Sequence, residues 1–410
     1  MTVPPPGAQA APSSAAALPA IPARAITCLS LAAFGSGISL RVNDALLPRF
    51  AAEFGIGIGQ AAQVISFFAI AYGLAQLMFG PLGDRFGKYR VIAWATVACS
   101  ITAVLCAAAE GFDGLRLARL LAGATAAAII PLSMAWIGDV VDYEQRQPVL
   151  ARFLIGQILG LAAGVALGGF AADHLNWRVP YVFLAVLFAA IAVVLFSINR
   201  RLPAHARAVR GGKGSALRRM IADFAHVLAV PWARVILMTV FLEGIFLYGP
   251  FAFFASHLHQ RFGMSLSAAG AVVMLFGAGG FIFAIGSRRL VGLLGEVGLA
   301  RGGGVLLALS LLGLGVAGNW WWALPACLLT GLGFYMLHNT LQVNATQMAP
   351  ERRGAAVSAF ASCFFLGQSV GVGLGGALVG EIGTAWLMAG GALGVLVVAL
   401  NFARLRTRRS

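Results

Sequence analysis

Apolar residues fill this chain in stretches of about twenty, separated by short segments that are polar or carry Gly and Pro. A helix of roughly 20 mostly apolar residues crosses the hydrocarbon of a bilayer. On that basis the pattern predicts membrane spans at 25–48, 61–82, 91–109, 114–138, 149–171 and 179–198, then at 233–255, 267–285, 302–318, 320–343, 355–379 and 384–403. These twelve are numbered spans 1 to 12 below. The expected fold class is an all-α membrane protein.

The pattern also repeats. Residues 144–169, shifted by 207 positions, align with 351–376 and match at ten of 26 positions, among them Gly160 with Gly367, Gly164 with Gly371 and Gly168 with Gly375. Spans 5 and 11 are therefore equivalent, and the chain reads as two six-span halves, 25–198 and 233–403. An even number of spans per copy keeps both copies in the same membrane orientation, the parallel type of repeat. The first 24 residues, rich in Pro, Ala and Ser with Arg24 as their one basic residue, read as a disordered tail and not as a signal peptide. Residues 199–232 read as a basic linker and 404–410 as a C-terminal tail.

Composition agrees. The chain is 60% apolar and only 10% charged, with mean hydropathy +0.87, against about 25% charged residues in soluble domains. The net charge of +15 would suit a nucleic-acid binder were it not so unevenly placed. With the N-terminus inside, 23 of the 29 Lys and Arg fall in segments on the inner side. This is the positive-inside bias; it puts both termini in the cytoplasm and leaves nucleic acid no support. The five cysteines, Cys28, Cys99, Cys106, Cys327 and Cys363, lie inside predicted spans with no paired spacing, which argues against disulfides and metal sites.

The loop between spans 2 and 3 reads Gly80-Pro81-Leu82-Gly83-Asp84-Arg85-Phe86-Gly87-Lys88-Tyr89-Arg90. Gly83 and Gly87 permit a tight reversal between antiparallel helices. Asp84 is an acid in a loop whose topology asks only for cations. The pattern G-x-L-x-D-R-x-G-K-x-R resembles the signature loop of the major facilitator superfamily of secondary transporters. The resemblance implies that Asp84 contacts the start of span 11 near Gly354, that an Arg of the loop pairs with Asp139 below span 4, and that both contacts latch the cytoplasmic side shut when the protein opens outward. The alternative is that Asp84 only offsets surplus charge in the turn.

Further segments resemble the drug–proton antiporter branch: Arg119-x-x-x-Gly123 followed by Pro131 and Asp139, and Trp177-Arg178 at the start of span 6. Span 5 is similar to the exporters' G-x-x-x-G-P-x-x-G-G motif, with Val165 at the Pro position. Its glycines, Gly156, Gly160, Gly164 and Gly168, form one stripe, as do Gly367, Gly371 and Gly375 on span 11. Lipid offers helices no hydrophobic drive to associate, so Gly stripes point to close backbone packing, with a sliding gate as the other reading.

Ionisable groups inside the bilayer cost roughly 2.5–3.5 kcal/mol each at a helix centre and mark function. Asp44 late in span 1 and Arg119 early in span 4 lie at matched depth, so an ion pair across a cavity is one reading. Arg41, three residues before Asp44, is the competing partner. By resemblance, a span 1 acid and a span 4 Arg serve in proton and substrate coupling. Glu243 lies near the midplane of span 7 with no cation in its own helix, which suits a proton carrier, a binder of cationic substrates, or a protonated Glu bonded to a neighbouring helix. Tyr335, His338, Asn339 and Gln342 give span 10 its polar run, and His338 can titrate near neutral pH. Tyr72 and Gln76 on span 2 and Tyr248 on span 7 complete the cavity candidates.

There is no nucleotide-binding loop, no metal-ligand spacing and no Ser/His/Asp arrangement in a soluble domain, so an enzyme, a cofactor and a metal are not expected. The reading is a monomeric transporter of the inner membrane. It would be proton-coupled, work by alternating access and export a small organic compound. A proton symporter importing a nutrient is the alternative, and a receptor or scaffold is the rival from another class.

Overall fold

The computed structural model describes residues 23–207 and 216–409. Most of the expected N-terminal tail, part of the basic linker and Ser410 lie outside the described residues. Among the described residues every regular element is helical, and ten continuous helical segments are long and apolar enough to cross a membrane. Two of the ten are double: Leu266–Val316 breaks at Gly295 (φ 61°) and Pro350–Thr407 at Gly383 (φ 77°). Both glycines sit in the left-handed region where a side chain would be strained. Divided there, the segments give the twelve spans.

Most helices run past the apolar windows. Span 1 continues through a second helix, Leu47–Phe54, and span 5 occupies Tyr143–His174. Span 8 continues to Gly295, past Arg288 and Arg289. Hydropathy stops at the first charges, whereas i→i−4 bonding continues until a Gly or Pro interrupts it. The linker holds a short 3₁₀ turn, Ala204–Arg207, and a helix, Ala216–Ala229.

The glycine stripes act where the repeat places them. A Cβ built on Gly160 would run into the Phe34 carbonyl, and one on Gly164 would lie 2.9 Å from the Ile38 carbonyl. In the second half, Gly367 meets the Phe241 carbonyl and Gly371 the Ile245 carbonyl. Phe34 and Ile38, advanced by the 207 residues of the repeat, are Phe241 and Ile245. Spans 1 and 5 thus cross as spans 7 and 11 do, residue for residue. Gly168 meets Val42, while Gly375 lies against the Phe253 ring at 3.2 Å. Gly160→Ala should cost about 1–3 kcal/mol through overpacking against a fixed backbone. Gly390→Ala, which meets open space in span 12, should be neutral. Denaturant unfolding in detergent compares the two.

Each half has its own apolar core. Trp136, Trp177, Tyr181 and Phe188 lie in the first and Phe254, Leu311, Leu337 and Phe402 in the second.

Candidate functional site

The loop between spans 2 and 3 is built around Lys88. Gly87 (φ 89°) ends one helix and opens the next. That turn carries the Lys88 ammonium to Asp139 at 2.6 Å and Asp84 at 3.1 Å. One resemblance-based expectation is corrected. The cation on Asp139 is Lys88, not Arg85 or Arg90, because Lys88 opens span 3 directly beside the end of span 4. Asp84 is turned to Lys88 and half-exposed, and no atom lies within 4 Å of where a Cβ would sit on Gly354. Gly83 packs under Leu132 and the Lys88 stem; Gly80 faces open space.

At the opposite face the halves do meet. Span 2 occupies Ile58–Phe86, and a Cβ on its Gly59 would strike the Gly376 carbonyl of span 11. Deeper in, the Ser66 hydroxyl donates to the Ser369 carbonyl at 2.7 Å, and the Ser369 hydroxyl returns a bond to the Ser66 carbonyl at 2.9 Å. The Ser362 hydroxyl donates to the Gly73 carbonyl at 2.7 Å. Spans 5 and 8 form the partner seam. Asp173 accepts from the backbone N–H of Leu266 at 3.2 Å and of Ser267 at 2.6 Å, capping span 8 across the divide, where the helix dipole favours an anion. Under the repeat, Gly59 and Gly376 correspond to Leu266 and Gly169, and those two also abut. The seams described here run from the face opposite the termini to mid-depth. The protein is therefore closed at that face.

Beside the deeper part of the first seam lie two buried polar clusters. In the first half, span 1 leaves the α-helix at residues 42–46, and this tightened turn presents Asn43 and Asp44. Arg119, about 1% exposed, reaches across from span 4. Its Nη2 donates to the Ser39 carbonyl at 2.9 Å, and its guanidinium lies 4.1 Å from the centre of the Phe68 ring. With the Asn43 oxygen turned inward, Nη2 and Nε each reach it at 3.0 Å while the Asn43 nitrogen donates to the Tyr181 hydroxyl. Asp44 pairs instead with Arg41 at 3.2 Å, both groups nearly fully buried. Of the two readings for Asp44 the local pair is the one formed, since the turn folds Arg41 back over Asp44 while Arg119 finds neutral acceptors first. Arg119→Met would leave the Asn43 oxygen unpaired and should cost about 1–3 kcal/mol, read as a fall in the denaturation midpoint.

Arg41 does more than neutralise Asp44. Its guanidinium stands 4.2 Å from the centre of the Tyr248 ring and 4.9 Å from that of Phe251, both on span 7. It therefore joins the two halves through cation–π contact, which strengthens when water is excluded. Tyr248 stacks edge-on to Phe334 and Phe364, whose rings also enclose His338. His338 Nδ1 lies 2.9 Å from Glu243 Oε2. The Glu243 side chain is fully buried and that of His338 is 17% exposed, so the imidazole is the wetter end of the pair. Glu243 Oε1, Asp44 Oδ1 and Gln76 Oε1 have no hydrogen-bond partner among the described residues.

The remaining candidates fall nearby. Tyr335, His338, Asn339 and Gln342 recur at i, i+3, i+4 and i+7 and share one partly exposed face of span 10, while Leu337, Leu341 and Ala345 are buried. Tyr72 is buried and packs its ring 4.2 Å from that of Phe365. The aromatic enclosure of Phe334 and Phe364 carried no signal in the sequence beyond apolar composition. Asp173 did carry one, an acid just past the predicted end of span 5, and was not singled out.

Among the described residues no group of His, Cys, Asp or Glu is arranged to hold a metal. Chemically, a His–Glu pair sharing one hydrogen bond can take up and release a proton, the hydrogen bond spreading over both groups the unit charge that one of the two states carries.

The chain matches the sequence profile of the Major Facilitator Superfamily over residues 29–372. It is 26% identical to the uncharacterized MFS-type transporter YwfA of Bacillus subtilis, over 91% of this chain and 88% of that protein. It is also 26% identical to the multidrug export protein EmrB of Escherichia coli, over 42% of this chain and 33% of that one. Among solved structures, a peptide transporter POT in complex with sulfate superposes with a TM-score of 0.76 at 15% identity, covering 94% of both chains. A bacterial homolog of the human lysosomal transporter Spinster, inward-facing and unoccupied, gives 0.70 at 18% identity, covering 94% of this chain and 96% of that one. These likenesses show a shared fold.

Proposed function

Because the chain belongs to the major facilitator superfamily of membrane transporters, we propose that it is a proton-driven secondary transporter that exports a small organic compound by alternating access. The observation that carries proton coupling is the buried Glu243–His338 pair, a titratable couple at 2.9 Å on facing helices of the second half. The carboxylate holds the imidazole by one hydrogen bond, and the partly exposed imidazole is the natural entry for a proton. Arg41, Asp44 and Arg119 supply the charged wall of the first half, and Tyr72, Gln76, Tyr248, Tyr335, Asn339 and Gln342 supply polar and aromatic surface for substrate. Export is favoured by the named exporters among the relatives.

The positive-inside bias makes the face bearing the termini cytoplasmic, in a bacterial-type inner membrane. With the opposite face sealed, alternating access in this scheme assigns the halves to the inward-facing side of the cycle. When they rock over to open outward, Asp84 becomes free to reach the start of span 11, and the Lys88–Asp139 bond holds its loop in place as the latch forms. The protein acts as a monomer in this scheme. Import by proton symport is the second reading, favoured by Val165 where the exporters' motif has its Pro.

Purified protein in liposomes with a pH dye inside tests both. A panel of organic cations, dyes and metabolites is added and proton movement followed. Substrate and proton moving in opposite directions establishes export by antiport, and movement in the same direction establishes symport. A compound that crosses with no proton movement overturns the proton-driven reading.

A further inference from the structure

A groove of about 520 Å³ opens on the outside of the first half between spans 2, 3 and 4, away from both polar clusters. Small residues, Ala95, Ala98 and Ala124, line it beside the bulky Phe79, Phe86 and Trp94. Phe86 and Trp94 are half-exposed or more, at 50% and 57%. Along span 2 the groove runs from Ala75 to Phe86, which at 1.5 Å per residue is about 16 Å. That is about the depth of one leaflet, since the full hydrocarbon core measures roughly 30 Å. The groove starts near mid-depth, where span 4 contributes Ala124 and Thr125, and ends at the face bearing the termini.

That end is cationic. Arg90 lines the groove mouth, and Arg85 lies over the ring of Phe86 at 5.2 Å. Lys88 takes both nearby carboxylates, Asp84 and Asp139. Among the described residues Arg85 and Arg90 form no ion pair. A slot of one-leaflet depth, apolar along its length and closed by two guanidiniums without counter-charge, matches one kind of occupant. We propose that this groove binds an anionic phospholipid of the cytoplasmic leaflet. One acyl chain lies along spans 2 and 3, and the phosphate is held by Arg90 and Arg85 through charge-assisted hydrogen bonds. Trp94 sits beside the upper acyl chain, at the level where aromatic residues line membrane interfaces.

Quenching of Trp94 fluorescence tests this on the full-length protein in phosphatidylcholine vesicles. The probe is phosphatidylglycerol or phosphatidylcholine brominated on its acyl chains, and the Trp94 signal is the difference between wild type and Trp94→Phe. The expected result is about thirtyfold stronger apparent binding of the brominated phosphatidylglycerol, the factor that two cationic contacts at an anionic surface supply. Arg85→Gln combined with Arg90→Gln should remove the preference, and Ala98→Leu, which fills the slot, should weaken quenching by both lipids. Equal quenching by the two lipids in the wild type would mean ordinary boundary lipid and would overturn the proposal, whatever the variants do. A preference that survives the double substitution would overturn the assignment of the phosphate to these two arginines.

Discussion

Glu243→Gln should reduce substrate-driven proton movement to the leak of empty vesicles while leaving the protein folded. The amide is nearly the same size as the carboxyl and can still hydrogen-bond with His338 Nδ1, so stability should change by no more than about 1 kcal/mol. What the amide cannot do is take up and release a proton. Asp44→Asn makes the contrast. Asp44 is bonded to Arg41 at 3.2 Å, and that guanidinium lies against Tyr248 across the divide. Its loss leaves Arg41 buried without a counter-ion, and should lower stability as well as transport, by about 3–5 kcal/mol for a broken buried pair. Proton flux and denaturation midpoints measured on both variants separate the two roles. Full proton movement in Glu243→Gln would remove the pair from the coupling mechanism.

Gly59→Leu should hold the protein open at the face opposite the termini. At this position the backbones of spans 2 and 11 come so close that even a Cβ would overlap the Gly376 carbonyl. A helix backbone cannot yield as a side-chain tip can, so the seam must part. Overpacking of this kind costs about 1–3 kcal/mol, borne only by the arrangement in which the seam is shut. A difference of that size shifts a two-state equilibrium by about 5- to 150-fold. Transport should fall accordingly, since the cycle passes through the closed seam. A cysteine placed at Ser369, which is buried against Ser66, should become accessible to a membrane-impermeant maleimide from outside. Gly160→Ala offers the comparison: its clash lies within one half, so it lowers stability without favouring either arrangement. Unchanged labelling in Gly59→Leu would mean that the seam closes by some other contact.

Much of the fold was legible because it depends on local pattern. Each apolar window marked a span, and the glycines matched by the repeat led to equivalent helix crossings. Lys88 shows where legibility stopped. The loop was recognisable as a unit, yet which of its cations meets Asp139 depended on how span 3 leaves the Gly87 turn. His338 and Glu243 were each conspicuous as polar groups in apolar helices, but they are 95 residues apart, and nothing local links them.

The sequence by itself determined the spans, the duplication, the charge asymmetry and the residues too polar for lipid. These follow from the free energy of placing each residue in hydrocarbon, a sum over single positions. Only the tertiary structure decided the partners: Arg41 with Asp44 and Tyr248, Arg119 with Asn43 and Ser39, Glu243 with His338, Asp173 with the start of span 8. A helix turns about 100° per residue, so a side chain's neighbour is set by the rotation and register of a second helix. In this protein those are fixed largely by where glycine lets two backbones touch.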